Sequence, residues 1–193
     1  AFIGSLFAGY IPSIFAINAS KQDPLLFRQS MESLISISEA NLVITSNEHV
    51  EQLKLLNLKT DIIEANLKFI DLDSSSTDEV EFPDPQEVAF LQHSSGTTGL
   101  KKGVALTHRQ VINQITHLSK SIRLNEKDRI AAWVPLYHDM GLIASVILPI
   151  LTGIPLEIMD PFEWVAKPHL LLNVISKTQA TICFQPNFAY IFL

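Results

Sequence analysis

Short β-branched runs alternate with amphipathic helical stretches along this chain, and that alternation constrains its fold more than any other feature. Pro12 to Ile17 reads as a strand. Asp23-Pro24 then reads as an N-cap with proline at the first helical position, followed by Phe27, Met31, Leu34 and Ile35 at helical spacing. Leu42 to Thr45 is an expected strand, Glu48 to Leu56 a short helix and Asp61 to Glu64 the next strand. Further strands are expected at Val88 to Leu91, Val104 to Leu106, Ile130 to Val134, Pro155 to Met159 and Thr181 to Phe184. Thr107 and Gln110 form a capping-box pattern opening a helix that carries Val111, Ile115, Leu118 and Ile122 on one face. A buried helix is expected from Asp139 to Thr152, closed by Gly153, and another from Pro168 to about Thr178. The predicted fold class is α/β, with layered, mostly parallel sheets flanked by helices.

Three portions are expected. Residues 1–72 form an α/β portion, and 73–87 an acidic, proline-punctuated linker loop. Residues 88–193 carry the chemistry-bearing motifs. Ala1 to Ile17 holds no charge and reads as a buried helix followed by a buried strand. Gly9, Pro12 and Asn18 interrupt it and it lacks a basic flank, which argues against a signal or transmembrane segment. The run from Asp139 to Thr152 is shorter than the ~20 residues a bilayer needs.

Composition closes off other classes. The formal charge of −6 disfavours non-specific nucleic-acid binding, which wants clustered cations. With 47% hydrophobic and 18% charged residues, the chain is a core-former rather than a disordered one. The single cysteine, Cys183, excludes a disulfide framework and a cysteine-based zinc site, and a cytoplasmic setting is expected. His49, His108, His117 and His169 show no metal-ligand clustering, and no metal-ligating residue is named.

Ser94 to Gly103 concentrates three glycines, two serines, two threonines and two lysines in ten residues. Glycines let backbone N–H groups approach an anion, hydroxyls add donors and lysine adds point charge, a combination suited to a polyphosphate. It is not a Walker A loop, since Lys101 stands where that pattern needs its second glycine. A strand-like run resumes at Val104, so a hairpin-like loop is expected rather than a helix N-terminus.

The order Ser-Ser-Gly-Thr-Thr-Gly-x-x-Lys-Gly resembles the phosphate-binding signature of the adenylate-forming superfamily. Lys101 departs from the usual proline or aliphatic residue, and Lys102 matches the family lysine. Trp133 to Leu142 (Trp-Val-Pro-Leu-Tyr-His-Asp-Met-Gly-Leu) resembles a second motif of that superfamily, in the form seen in fatty-acid-activating members. Pro186-Asn187-Phe188-Ala189-Tyr190 is similar to a segment of fatty acyl-AMP ligases and related acyl-CoA synthetases, and Phe2 to Pro12 to their early helix and strand.

The resemblance implies an incomplete large N-terminal domain of an ATP-dependent, AMP-forming acyl ligase. Such an enzyme joins a fatty acid to ATP as acyl-adenylate, releases pyrophosphate and passes the acyl group to coenzyme A or an acyl carrier protein. It implies ATP and magnesium as cofactors, with most of their ligands beyond Leu193, and a fragment inactive by itself. Ser94, Ser95, Gly96, Thr97, Thr98, Gly99 and Lys102 are the implied phosphate contacts, with Lys102 and His138 catalytic. His138, Asp139, Asn187, Phe188 and Tyr190 are the implied acid-side residues. Two other readings stay open: an adenylation domain for an amino or aryl acid, and a silent homologue that binds a nucleotide or partner. On the residues alone, Asp139 is equally an N-cap, Gly141 a close-packing glycine, His93 a space-filler at the loop base and Cys183 a core residue.

Overall fold

The computed structural model describes residues 1–16, 24–56, 59–65, 82–93 and 103–193, with the backbone alone for residues 24–27 and 48. The expected Ser94–Lys102 phosphate contacts, with Ile17 and the N-cap Asp23, lie outside the described residues. The chain divides into two compact units. One holds Ala1, Ile3–Ala8 and Ala16–Phe82; the other holds Phe2, Gly9–Phe15 and Pro83–Leu193.

The first unit contains a βαβ crossover. Helix α2 (Pro24–Ile37) precedes strand β1 (Leu42–Thr45), helix α3 (Asn47–Lys54) and strand β2 (Asp61–Glu64). The two strands pair in parallel, from Leu42 opposite Asp61 to Thr45 opposite Glu64. Parallel pairing needs a crossover, and α3 supplies it. Met31, Leu34 and Ile35 of α2 and Val50 and Leu53 of α3 are buried, so the helical spacing read in the sequence is the core face. Helix α1 (Phe2–Phe7) forms where expected, but none of its residues is buried and Phe7 is 69% exposed. Apolar composition sets a preference for burial, but the covering surface must come from other elements, and among the described residues it covers α1 only in part.

The second unit opens with an antiparallel hairpin of β3 (Val88–His93) and β4 (Gly103–Thr107), in which His93 pairs with Gly103. Helix α4 (His108–Ser121) follows directly. Thr107 Oγ1 accepts from the Gln110 N–H and Gln110 Oε1 accepts from the Thr107 N–H, the reciprocal cap foreseen. Val111 and Ile115 bury its inner face.

Strands β5 (Ile130–Ala132) and β6 (Leu156–Ile158) pair in parallel. The crossover between them is the segment expected as one helix from Asp139 to Thr152. Its caps are as expected: Asp139 is the N-cap, and Gly153 ends the segment at φ 73°, a conformation glycine adopts without strain. Its winding differs. Met140–Ile147 is a π-helix and only α5 (Leu148–Thr152) is α-helical. The wider turn shows in the Leu148 N–H, which reaches Ile143 O, and in buried Ser145, whose Oγ donates to Met140 O at 3.0 Å.

Two expected strands shrink to single bridges. Among the described residues of Pro12–Ile17 only Ser13 pairs, with Leu91, because Pro12 has no N–H for a ladder and contributes only its carbonyl to the Leu91 N–H. In Thr181–Phe184 only Ile182 pairs, with Ile130; both the Thr181 and Ile182 N–H groups converge on Arg129 O, which breaks the alternation of a strand. Helix α6 (Pro161–Ala166) was not foreseen, although Asp160-Pro161 repeats the signal of Asp23-Pro24. Asp160 Oδ1 accepts from the Phe162 and Glu163 N–H groups at its start. Helix α7 (Leu170–Thr178) matches its expectation, and Asn187–Ile191 forms a 3-10 turn. Among the described residues no helix is long and apolar enough to cross a membrane.

A polar knot closes the second unit's sheet. Asp128 Oδ1 accepts from Thr181 Oγ1 at 2.7 Å, and Oδ2 accepts from the Asn125 N–H and side-chain amide. The Thr181 hydrogen bond, then that of the Asn125 backbone, holds the Asp128 carboxyl below its ordinary 3.8. A lowered carboxylate pKa adds stability above the unfolded value that is lost as pH falls through the folded one. Asp128→Asn should therefore melt below wild type at pH 7, and the gap should close as the pH drops below 3.8. Melting curves across that range test it.

Candidate active site

Every described candidate side chain lies in the second unit. The Ser94–Lys102 stretch joins β3 to β4, so its two ends meet at the His93–Gly103 pair. A strand enters and a strand leaves, which bears out the hairpin setting and excludes the Walker strand-to-helix arrangement. The loop base is braced from the side. Ser13 Oγ lies 2.8 Å from His93 Nδ1 and 3.0 Å from Leu91 O, and the Phe15 ring meets the His93 ring edge-on at 4.8 Å. His93, read as a space-filler, is thus hydrogen-bonded in place.

The second motif begins in the core and ends at the surface. Trp133 and Val134 are buried; Pro135 to Asp139 turn outward, and His138 and Asp139 are exposed. The turn is closed by the His138 N–H donating to Pro135 O at 3.1 Å, and His138 O accepts from the Leu142 N–H at 2.8 Å. The His138 ring lies 4.8 Å from that of Tyr137. Asp139 Oδ1 takes the Met140 N–H at 2.8 Å, which is the N-cap role; no hydrogen bond joins it to His138. Gly141 is required by packing. A Cβ there would fall on the Pro135 carbonyl oxygen and 2.6 Å from that of Val134.

One hydrogen bond unites the two motifs. Gln92 Nε2, in β3 two residues before Ser94, donates to Tyr137 O at 2.7 Å. The residue that precedes His138 is therefore tied to the strand that feeds the glycine-rich loop. Sequence reading missed Gln92, because nothing local marks a contact made across 45 residues.

The third segment reaches the second through aromatic rings. Trp133 and Trp164 stack at 3.6 Å, and the Phe188 ring meets each edge-on at 6.4 Å. Phe188 is still half exposed, and Asn187 and Tyr190 are exposed without a side-chain hydrogen bond among the described residues. The structure thus brings Phe188 onto the motif and leaves Asn187 and Tyr190 apart from it. Trp164 was also missed, since it belongs to the unforeseen α6. Burial pushes the Cys183 thiol up to about 11, so it is a neutral core group at pH 7. A shallow cavity of about 290 Å³ between β6, α6 and α7 is lined by none of the predicted site residues.

The second unit is an α/β domain in which the strand entering the glycine-rich stretch is tied to a histidine-bearing turn. Comparison with known proteins gives the family: the AMP-binding enzyme model matches residues 2–193, and the chain belongs to that family. It is 29% identical over 197 residues to the medium-chain-fatty-acid–[acyl-carrier-protein] ligase JamA of Moorena producens, spanning 98% of this chain and 33% of JamA. It is 32% identical over 112 residues to the long-chain-fatty-acid–AMP ligase FadD32 of Mycolicibacterium smegmatis, spanning 56% of this chain and 18% of FadD32. The fatty acyl-adenylate ligase from L. pneumophila, solved in complex with acyl adenylate and pyrophosphate, superposes with a TM-score of 0.83 at 32% identity. That match covers 98% of this chain and 32% of the Legionella one. The chain therefore spans about a third of the length of such relatives.

Gly141→Ala should lower stability by about 1–3 kcal/mol, the range for forcing atoms into packed structure. The backbone of the turn before His138 must yield, because the obstructing atoms are carbonyls rather than side-chain tips. Denaturant titration checks this; an unchanged midpoint would contradict it.

Proposed function

We propose that this chain is the phosphate- and acid-handling part of an ATP-dependent ligase that activates a fatty acid. A carboxylate oxygen attacks the α-phosphorus of ATP, the bond to the bridging oxygen breaks, and acyl-adenylate and pyrophosphate result. The acyl group then passes to a thiol, that of coenzyme A or of an acyl carrier protein. The observation that supports this reading is the 2.7 Å hydrogen bond from Gln92 to Tyr137 O, which ties the residue before His138 to the strand that leads into the Ser94–Lys102 stretch. It gives one strand two duties: leading into the phosphate loop and holding the turn that presents the acid-side histidine.

The residue roles follow from their chemistry. Ser94, Ser95, Gly96, Thr97, Thr98 and Gly99 supply hydroxyl and backbone donors for the β- and γ-phosphates, and Lys102 supplies the charge as pyrophosphate leaves. His138 is exposed at the turn, and its ring is free to donate to the carboxylate or to oxygen charge developing at phosphorus. Asp139 starts the crossover that anchors this turn. Phe188 packs against the tryptophan stack and offers an apolar surface to an acyl chain; Asn187 and Tyr190 flank it. Among the described residues no group of three His, Cys, Asp or Glu is placed to hold a metal ion.

Fatty-acid ligases among the similar proteins support a fatty acid as the substrate, 4-hydroxyphenylalkanoate adenylyltransferases at 30–32% identity keep an aryl-bearing acid as the second reading, and two of the ligases name acyl carrier protein as acceptor. A cytoplasmic setting is proposed on the single, neutral cysteine. The test uses the enzyme that carries these residues, with ATP, magnesium, a series of saturated fatty acids and coenzyme A, its products read by mass spectrometry. Acyl-adenylate or acyl-CoA is expected, and Lys102→Ala should lower its rate about 10²-fold, as for loss of one charge-stabilising donor. With amino and aryl acids offered in parallel, their adenylates alone, or no adenylate at all, would overturn the reading.

A further inference from the structure

We infer, on the function proposed above, that Gln92 is the positioning residue for His138. The Tyr137 carbonyl and the His138 N–H belong to one planar peptide. Gln92 Nε2 holds the carbonyl edge of that plane at 2.7 Å, and Pro135 O holds the N–H edge at 3.1 Å. The plane is pinned on both sides, so the direction in which the His138 side chain leaves the backbone is set. Beyond it, the Leu142 N–H fastens His138 O to the π-helical crossover. The exposed ring itself has no hydrogen bond among the described residues, so its aim comes from the backbone that carries it.

The amide has only one workable orientation. Turned over, it would set Oε1 against the Tyr137 carbonyl oxygen, two acceptors facing each other. With Nε2 on Tyr137, Oε1 is buried and has no hydrogen-bond partner among the described residues. An unpaired buried acceptor costs stability, so local stability alone does not call for glutamine at this point of β3. Leucine would fill similar space with no orphan oxygen. What glutamine adds is the donor on Tyr137 O. Neither His138 nor Gln92 reveals the pairing by spacing, because the contact crosses from β3 to the turn after β5.

The experiment takes the enzyme carrying these residues through Gln92→Leu, Gln92→Glu, His138→Ala and the double variant of Gln92→Leu with His138→Ala. Each is measured for fatty-acid-dependent exchange of pyrophosphate into ATP and for its melting temperature. Gln92→Leu and Gln92→Glu should each lower kcat about 10²-fold, the scale of a small misplacement of a reacting group. The KM for ATP should stay within about twofold, because positioning of this kind is realised in the transition state. The melting temperature of Gln92→Leu should stay within about 3 °C of wild type. The double variant should be no slower than His138→Ala, since a group acting only through His138 has nothing left to position. Multiplying effects in the double variant, a raised KM at unchanged kcat, or activity lost only in step with melting temperature would each overturn the role. Wild type that makes no acyl-adenylate would overturn the proposed function instead. An NMR spectrum of the enzyme with 15N-labelled histidine then decides for Gln92: a moved His138 signal in Gln92→Leu sustains the inference, and an unmoved one refutes it.

Discussion

The 2.7 Å hydrogen bond between Gln92 and the Tyr137 carbonyl joins parts of the chain that otherwise have separate structural reasons to exist. β3 is held by its hairpin partner and by the Ser13 bridge. The Tyr137–His138 turn is held by β5 and by the π-helical crossover. Without the amide, the loop base and the histidine would each be fixed to its own support and only loosely to the other. Reactions that bring two anions together need their polar groups in place beforehand, since reorganisation during the reaction raises the barrier. A single part-buried donor at the junction meets that need.

Packing reinforces the same junction. The crossover starts against the carbonyls of Val134 and Pro135, and only a residue without Cβ fits at Gly141. This close approach coincides with the π-helical winding, in which Ser145 and Leu148 both bond to carbonyls five residues back. Irregular helix and obligatory glycine therefore sit together directly after the histidine. Behind them, Leu142, Leu148 and Leu171 are almost fully buried, and such burial contributes about 1.5–3 kcal/mol per side chain. The rigidity of the turn is thus borrowed from the core.

Much of this was legible in the sequence because its causes are local. The Thr107–Gln110 cap, the α2 face of Met31, Leu34 and Ile35, and the Asp61–Glu64 strand each follow from residues within one or two turns of each other. The hairpin setting of the glycine-rich loop followed from Val104 resuming a strand. Errors arose where a distant partner decides the outcome. Pro12 and the doubly used Arg129 carbonyl reduced two apolar runs to single bridges. The uncharged α1 is only partly covered among the described residues. Gln92 and Trp164 became important only through residues far along the chain, Tyr137 in one case and Trp133 in the other.

The central claim is that one strand positions both the phosphate loop and the acid-side histidine. A structure of the enzyme carrying these residues, with acyl-adenylate bound, tests it most directly. A His138 ring nitrogen is expected within about 3.2 Å of an acyl or phosphate oxygen, with Gln92 Nε2 still on Tyr137 O. A His138 ring turned away from the adenylate, or a Gln92 amide that has left Tyr137 while the histidine keeps its place, would contradict it.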